Sequence, residues 1–231
     1  MDAQFRGAIT AIKQDFDIEI AETSHQILEA QRLRYQVFCE ERSIFSGQDQ
    51  IERDEYDDHS HHIVIRRRRC DQLVGTVRLV TTSQGGRAGH FPMSRVAGAA
   101  FFRQIPVGTT GEISRFALSK TRRDMTSVGD IFVRLGLLQG LVRASRMLGL
   151  THWCAAMEPS LLRLLRSASI HFTPVGPLVE YRGLRQPVIG CIDDMLERGR
   201  WERPELWEFV TECNYLHLAA STSSRRQQVA A

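Results

Sequence analysis

The sequence predicts a mixed α/β sandwich, with helices packed on one sheet. Three observations carry that prediction. Apolar residues recur at helical spacing in some segments and alternate at strand spacing in others. These segments follow one another as helix, strands, helix, strand, helix, strands. The chain has 231 residues, 42% hydrophobic and 25% charged, which is enough for one large domain to bury a core without disulfides or metal.

Phe5, Ala8, Ile9, Ile12 and Phe16 lie at helical spacing and predict an amphipathic helix over about residues 5–16. Ile18 and Ile20 alternate with Glu19 and predict a short strand. Ser24 is the expected N-cap of a helix reaching Glu41. Within it Ile27, Ala30, Arg34 and Phe38 share one stripe, so Arg34 rides on the buried side and needs an anionic partner. A loop is expected over Ser43 to Glu52. Strands are expected over Ser60 to Arg68 and Leu73 to Val80.

Thr82 to Gly111 is rich in Gly and Ser and holds two prolines with Arg87, Arg95 and Arg103, which suggests a lid, a binding loop or a disordered segment. GEISRFALS, Gly111 to Ser119, predicts a strand, and Ser127 or Asp130 starts a helix to about Leu148. THWCAAM, Thr151 to Met157, is a near-continuous apolar run that predicts a central strand. A helix follows from Glu158-Pro159 to Ser169, then a strand pair over Phe172 to Tyr181 and Arg185 to Ile192. Short helices are expected around Asp193 to Gly199 and Pro204 to Tyr215. Residues 1–218 are expected to form one domain and 219–231 a disordered tail.

Composition narrows the function. A net charge of +3 is too mild to argue for nucleic-acid binding. The run Arg66 to Arg69 is either a solvated hairpin end or a docking patch for an acidic partner. Cys39, Cys70, Cys154, Cys191 and Cys213 are odd in number and widely spaced, without a CxxC, against a disulfide framework or structural zinc. No signal pattern opens the chain and no apolar run would span a bilayer, so a reduced, cytoplasmic protein without an integral membrane segment is expected. His59, His61 and His62 lack a further ligand pair at matching spacing, so no metal is expected.

Four stretches carry charges that packing would not ask for: LRYQVF with Arg34 and Phe38, ERDEYDDHSHH with Asp54 and Asp57, GTVRLV with Arg78, and GEISRFALS with Glu112 and Arg115. Strand alternation puts Glu112 and Ser114 on one face and Ile113 and Arg115 on the other, unless a bulge re-aims one of them. The set is either a structural ion-pair network or a site. Buried ion pairs stabilise little over apolar residues, so their recurrence on several elements leans towards a site. Arginine forks grip carboxylates, and a carboxylate can hold an ammonium and take its proton.

These residues, in this order, resemble the autoinducer-synthase branch of the GCN5-related N-acyltransferase (GNAT) superfamily. Arg34 with Phe38, Asp54 with Asp57, Arg78, and Glu112 with Arg115 and Phe116 match its motifs. DEYDDHS, GTVRLV, EISRFALSK and VGPLVEYRGLRQP resemble more closely the PEP-CTERM/exosortase-associated acyltransferases and long-chain N-acyl amino acid synthases. The resemblance implies an α/β/α sandwich around one mixed, mostly antiparallel sheet. It also implies acyl transfer to a small amine acceptor.

Lactone synthases carry a tryptophan six residues after the phenylalanine. Here Ile44 stands there, followed by Phe45, which weakens the expectation of an S-adenosylmethionine-derived acceptor. The stretch KTRRDMTSVGD offers only Gly129 for a diphosphate cradle, which favours the phosphopantetheine thioester of acyl carrier protein over acyl-CoA as co-substrate, with no bound cofactor. Lys120, Arg122, Arg123, Arg143 and Arg146 would dock that acidic partner, or are ordinary solvated charges.

The resemblance gives Glu112 the base's role. Arg34, Phe38, Asp54, Asp57, Arg78, Arg115 and Phe116 would bind substrate or order the site. The pantetheine cleft is expected between the Glu112 strand and Trp153, Cys154 and Ala155. Three readings compete: an N-acyl amino acid synthase, an acyl-homoserine-lactone synthase, and a non-catalytic acyl- or partner-binding module.

Overall fold

The computed structural model describes residues 14–45, 49–82, 91–103, 105–120 and 127–212. One sheet runs through them in the order β1-β2-β3-β4-β5-β8-β6, with β7 also pairing β8. The strands are β1 Phe16–Ile20, β2 Ser60–Arg67, β3 Gln72–Val80, β4 Thr110–Leu118, β5 His152–Met157, β6 Thr173–Pro174, β7 Val179–Glu180 and β8 Leu184–Cys191. Every pairing is antiparallel except β4 with β5. That parallel pair needs a crossover, supplied by helix α2, Ser127–Met147. The expected sandwich around a mixed, mostly antiparallel sheet is the architecture found.

Alternation sorts the strand residues onto two faces. Ile63, Ile65, Val77 and Leu79 are fully buried on the face that receives α2. Each such side chain contributes roughly 1.5–3 kcal/mol by leaving water. The helix lies close: a Cβ on Gly140 would sit 2.3 Å from Ile63 Cγ2. Helix α3, Pro159–Ser167, follows β5, and helices α4 (Ile192–Glu202) and α5 (Pro204–Val210) extend the α2 layer, with Gln139 Nε2 donating to the Phe209 carbonyl. Helix α1, Ser24–Tyr35, covers the opposite face at β2 and β3, where Ala30 and Val64 form one small cluster and Leu33, Val37, Phe38 and Ala117 another.

Several expectations need correction. The N-cap of α1 is Thr23, not Ser24. The Thr23 hydroxyl accepts from the Gln26 N–H at 3.2 Å and Gln26 Oε1 accepts from the Thr23 N–H at 3.1 Å, a reciprocal capping box that Ser24 has no partner to make. The helix ends at Tyr35 and continues as a π-helical segment, Gln36–Glu41. Phe16 opens β1 opposite Arg67 instead of closing a helix, and residues 5–13 lie outside the described residues.

Within the expected loop over 82–111, Ser94–Ala97 and Ala99–Phe102 form helical turns, and 83–90 and 104 lie outside the description. The strand expected over 172–181 is reduced to two two-residue strands on β8, because Pro174 and Pro177 remove ladder donors. Tyr215 and the expected tail are not among the described residues. No described helix is long and apolar enough to cross a membrane.

Candidate active site

Three arginines and three carboxylates meet on the α1 side of β3 and β4. Arg34, on the buried stripe of α1 and itself fully buried, donates Nε to Glu52 at 2.6 Å. It also grips Asp57 with both Nη groups at 2.5 and 3.1 Å. Arg78 on β3, also fully buried, donates to both oxygens of Asp54 at 2.5 and 3.3 Å, to Asp57 at 3.1 Å and to Ser114 Oγ at 3.1 Å. Arg115 on β4 donates Nε to Glu52 and Nη2 to Asp54 at 2.9 and 2.8 Å. The formal charges cancel, three against three, which is what keeps this many ions tolerable away from water.

Arg115 reaches this cluster because β4 bulges. Its φ is +53°, in the left-handed region that non-glycine residues seldom adopt. The β3–β4 register slips by one residue between Thr76↔Ala117 and Arg78↔Ser114. The extra residue resets the phase of the strand. Before it, Glu112 and Ser114 face the arginine cluster. After it, Ala117 takes that face while Phe116 and Leu118 pack towards α2. Simple alternation would have sent Arg115 into the apolar core beside Ile113.

Electrostatics follow from burial and pairing. Burial alone would raise the Asp57 carboxyl, but the adjacent His62 imidazole, the hydrogen bonds from Arg34 and the charges of Arg34 and Arg78 hold it well below the usual range. Asp54 is likewise lowered, with burial outweighed by Arg78 and Arg115. Burial, opposed in part by Asp57, pushes the His62 imidazole down. Its Nε2 lies 3.3 Å from Asp57 Oδ1 without an aligned hydrogen bond.

Glu112 stands apart from this network. It is buried, it forms no ion pair among the described residues, and the Met93 N–H donates to its Oε2 at 2.8 Å. Burial raises its carboxyl to about 8, against smaller opposing effects of the Met93 amide, Arg78 and Arg115. It lies where β4 and β5 part: their ladder pairs Thr110↔His152, Gly111↔Trp153 and Glu112↔Cys154, and goes no further. On its face lies an apolar cluster of Tyr56, Val80, Phe91, Met93, Phe101, Phe102 and Cys154. A carboxyl poised near neutrality at the apex of a splayed strand pair can exchange a proton with something held in the gap.

Residues 33–129 match the model of the acetyltransferase (GNAT) domain. No curated protein matches the sequence significantly. Among solved structures, the AHL synthase LasI aligns with a TM-score of 0.58 at 21% identity, over 75% of this chain and 87% of that one. BjaI, a CoA-dependent acyl-homoserine lactone synthase solved with SAM and isopentyl-CoA, gives 0.60 at 22%, over 86% and 99%. FeeM, an N-acyl amino acid synthase from uncultured soil microbes, gives 0.55 at 14%, over 79% and 93%.

The chain has the GNAT fold.

Within this GNAT fold the expected site residues divide. Arg34, Asp54, Asp57, Arg78 and Arg115 come together in one network. Phe38 packs beside it and meets Phe45 edge-on, ring centroids 5.4 Å apart. Phe116 faces the α2 layer. Of the three β5 residues, only Cys154 shares a face with Glu112. Trp153 and Ala155 turn to the other, where the Trp153 indole donates to Ser145 Oγ at 2.8 Å. Burial raises the Cys154 thiol well above its ordinary range, which disfavours the thiolate.

Sequence reasoning missed Glu52, the bridge between Arg34 and Arg115. Charge counting could have found it, since three buried arginines need more than two aspartates once Glu112 is set aside. The proposed docking cations are also mostly engaged. Arg66 pairs with Glu29 and Arg68 with Asp17, both at 2.8 Å, while Arg146 pairs with Asp193 and Arg143 with Glu212. The Lys120 ammonium donates to the Glu41 carbonyl. Arg122 and Arg123 lie outside the described residues. Among the described residues no group of three His, Cys, Asp or Glu side chains is placed to hold a metal.

Proposed function

We propose that this protein is an N-acyltransferase that moves a fatty acyl group from acyl carrier protein to the amine of an amino acid or related small molecule. The observation that carries the reading is Glu112: a buried carboxyl outside any ion pair among the described residues, raised to about 8, at the point where β4 and β5 diverge. An ammonium cannot attack a thioester. Glu112 takes its proton, directly or through a water, and the freed amine attacks the thioester carbon in the gap. The C–N bond forms, the C–S bond breaks, and the departing pantetheine sulfur recovers a proton. A base tuned close to the working pH suits this transfer. Backbone N–H groups at the β4 bulge would stabilise the tetrahedral oxyanion. The arginine–carboxylate network holds the 52–57 segment against β3 and β4 and so fixes one wall of the site.

Neighbours named as acyl-homoserine lactone synthases favour a second reading, in which S-adenosylmethionine is the acceptor. CoA-dependent enzymes among them make acyl-CoA the competing donor. Purified protein, incubated with acyl-carrier-protein and acyl-CoA thioesters and a panel of amino acids, amines and S-adenosylmethionine, separates these by product mass. An N-acyl amino acid formed from the carrier thioester is expected. A lactone that requires S-adenosylmethionine would overturn the acceptor, faster turnover of acyl-CoA would overturn the donor, and transfer to nothing would leave only acyl or partner binding.

A further inference from the structure

The guanidinium groups stacked on Phe45 and Tyr56 are Arg78, Arg95, Arg115 and Arg182. Arg78 and Arg115 are consumed by the buried carboxylates, and Arg95 pairs with Glu55. Arg182 has no carboxylate partner among the described residues. Its Cζ lies 4.2 Å from the Phe45 ring centroid, and Arg115 lies 4.4 Å from the same centroid. Arg182 sits at the tip between β7 and β8, exposed, with φ +54°.

Three contacts hold that strained tip: the Tyr181 N–H to the Gly183 carbonyl at 3.0 Å, the Gly183 N–H to Glu180 Oε1 at 3.0 Å, and Arg185 Nη2 to the Arg182 carbonyl at 2.7 Å. A fixed backbone thus presents an unpaired cation beside Phe45, next to a network that is itself neutral. Left-handed strain at a bulky residue persists where the surroundings enforce it.

We infer that Arg182 binds the carboxylate of the acceptor, so that the protein selects amines that carry an acid group. This rests on the amine-acylation reading and names the class within it: α-amino acids rather than simple amines. Arg78 and Arg115 are poorly placed to serve, because taking a substrate carboxylate would strip Asp54 or Glu52, buried or partly buried, of one of its two arginine partners. Arg182 gives up only ring contacts with Phe45 and Tyr181, and its planar fork matches a carboxylate in bidentate fashion.

The test is equilibrium binding of N-acylglycines of several chain lengths, with their uncharged N-acylglycinamides, to the full chain by calorimetry. The wild-type protein should bind the acid at least about tenfold more tightly than the amide, the scale of one charge-assisted pair. Arg182→Ala should erase that preference while leaving amide affinity unchanged, and Arg182→Lys should restore part of it. If the wild type shows no preference for the acid, or Arg182→Ala keeps it, the inference is overturned. Acyl transfer is scored separately. Acid-selective binding lost in Arg182→Ala without any transfer would sink the catalytic reading alone. Transfer to simple amines and amino acids alike would sink this one alone.

Discussion

Glu112 and Glu52 are both buried glutamates, yet the contacts around them assign opposite tasks. Glu52 accepts from two arginines, which offset its burial. Glu112 has a backbone amide and burial, so its proton is held to about pH 8. If it is the base, kcat should rise with pH and level off above about 8, and Glu112→Gln should lower the rate by roughly 10²–10⁴-fold and remove that limb. A stability consequence follows from the same raised pKa. The unfolded chain gives up this proton near 4.5 and the folded one only near 8. The contribution is complete below 4.5, falls as pH rises between the two values, and is gone above about 8. Urea titrations of wild type and Glu112→Gln should therefore converge at low pH and separate by ~2–5 kcal/mol in favour of the variant at pH ~9. Parallel curves would mean that Glu112 ionises freely. The sequence exposed Glu112 because a charge interrupts an apolar strand. Glu52 stayed hidden because it opens a run of acids, Glu52, Asp54, Glu55, Asp57 and Asp58, in which no single residue stands out.

Strand β4 shows where pattern reading stops. Its existence, span and apolar character were legible within a residue, as were β2, β3, β5 and α2, because each has a clear period. The bulge was not, since positive φ falls on an arginine and no glycine marks it. The position was visible only as a conflict: alternation placed a guanidinium among Ile113 and its core neighbours. Arg115→Gly relieves the backbone strain but strips partners from Glu52 and Asp54. We expect net destabilisation of ~1–3 kcal/mol, read as a lower denaturation midpoint with unchanged slope. The acid-dependent part of the stability should shrink with it, because Arg115 is one of the charges that lower Asp54. Asp54 and Asp57 have lowered pKa values, so their contribution is present above their ordinary range and is lost as pH falls below about 4. On the other face, α2 approaches β2 so closely that Gly140→Val must push the helix off Ile63. A loss of ~1–3 kcal/mol is expected, seen in a thermal melt as a fall of several degrees.

At the scale of the whole molecule, the sheet is two antiparallel blocks, β1–β4 and β5–β8, joined by a ladder of only three pairs and by the crossover helix. The sequence conveyed the two blocks through their strand periods. It could not convey how they touch, because that depends on a turn at Arg182 meeting a loop residue, Phe45, from the other block. Phe45 packs on Phe38 and Arg115 in the first block, while Arg182 belongs to the hairpin of the second. Tyr181 adds a second link through Arg95. These contacts bridge the gap whose apex is Glu112, so the gap is braced both by its ladder and across this bridge. Phe45→Ala removes the surface shared by two guanidinium groups, each such contact being worth ~0.5–2 kcal/mol. The bridge then predicts faster hydrogen exchange at the amides of Tyr181 and Gly183 in the variant, with α2 and β2 unaffected, because loss of the brace loosens the hairpin tip without touching the main core. Exchange unchanged at those two amides would show that the hairpin holds its place through β8 alone, and that Phe45 belongs to the first block only.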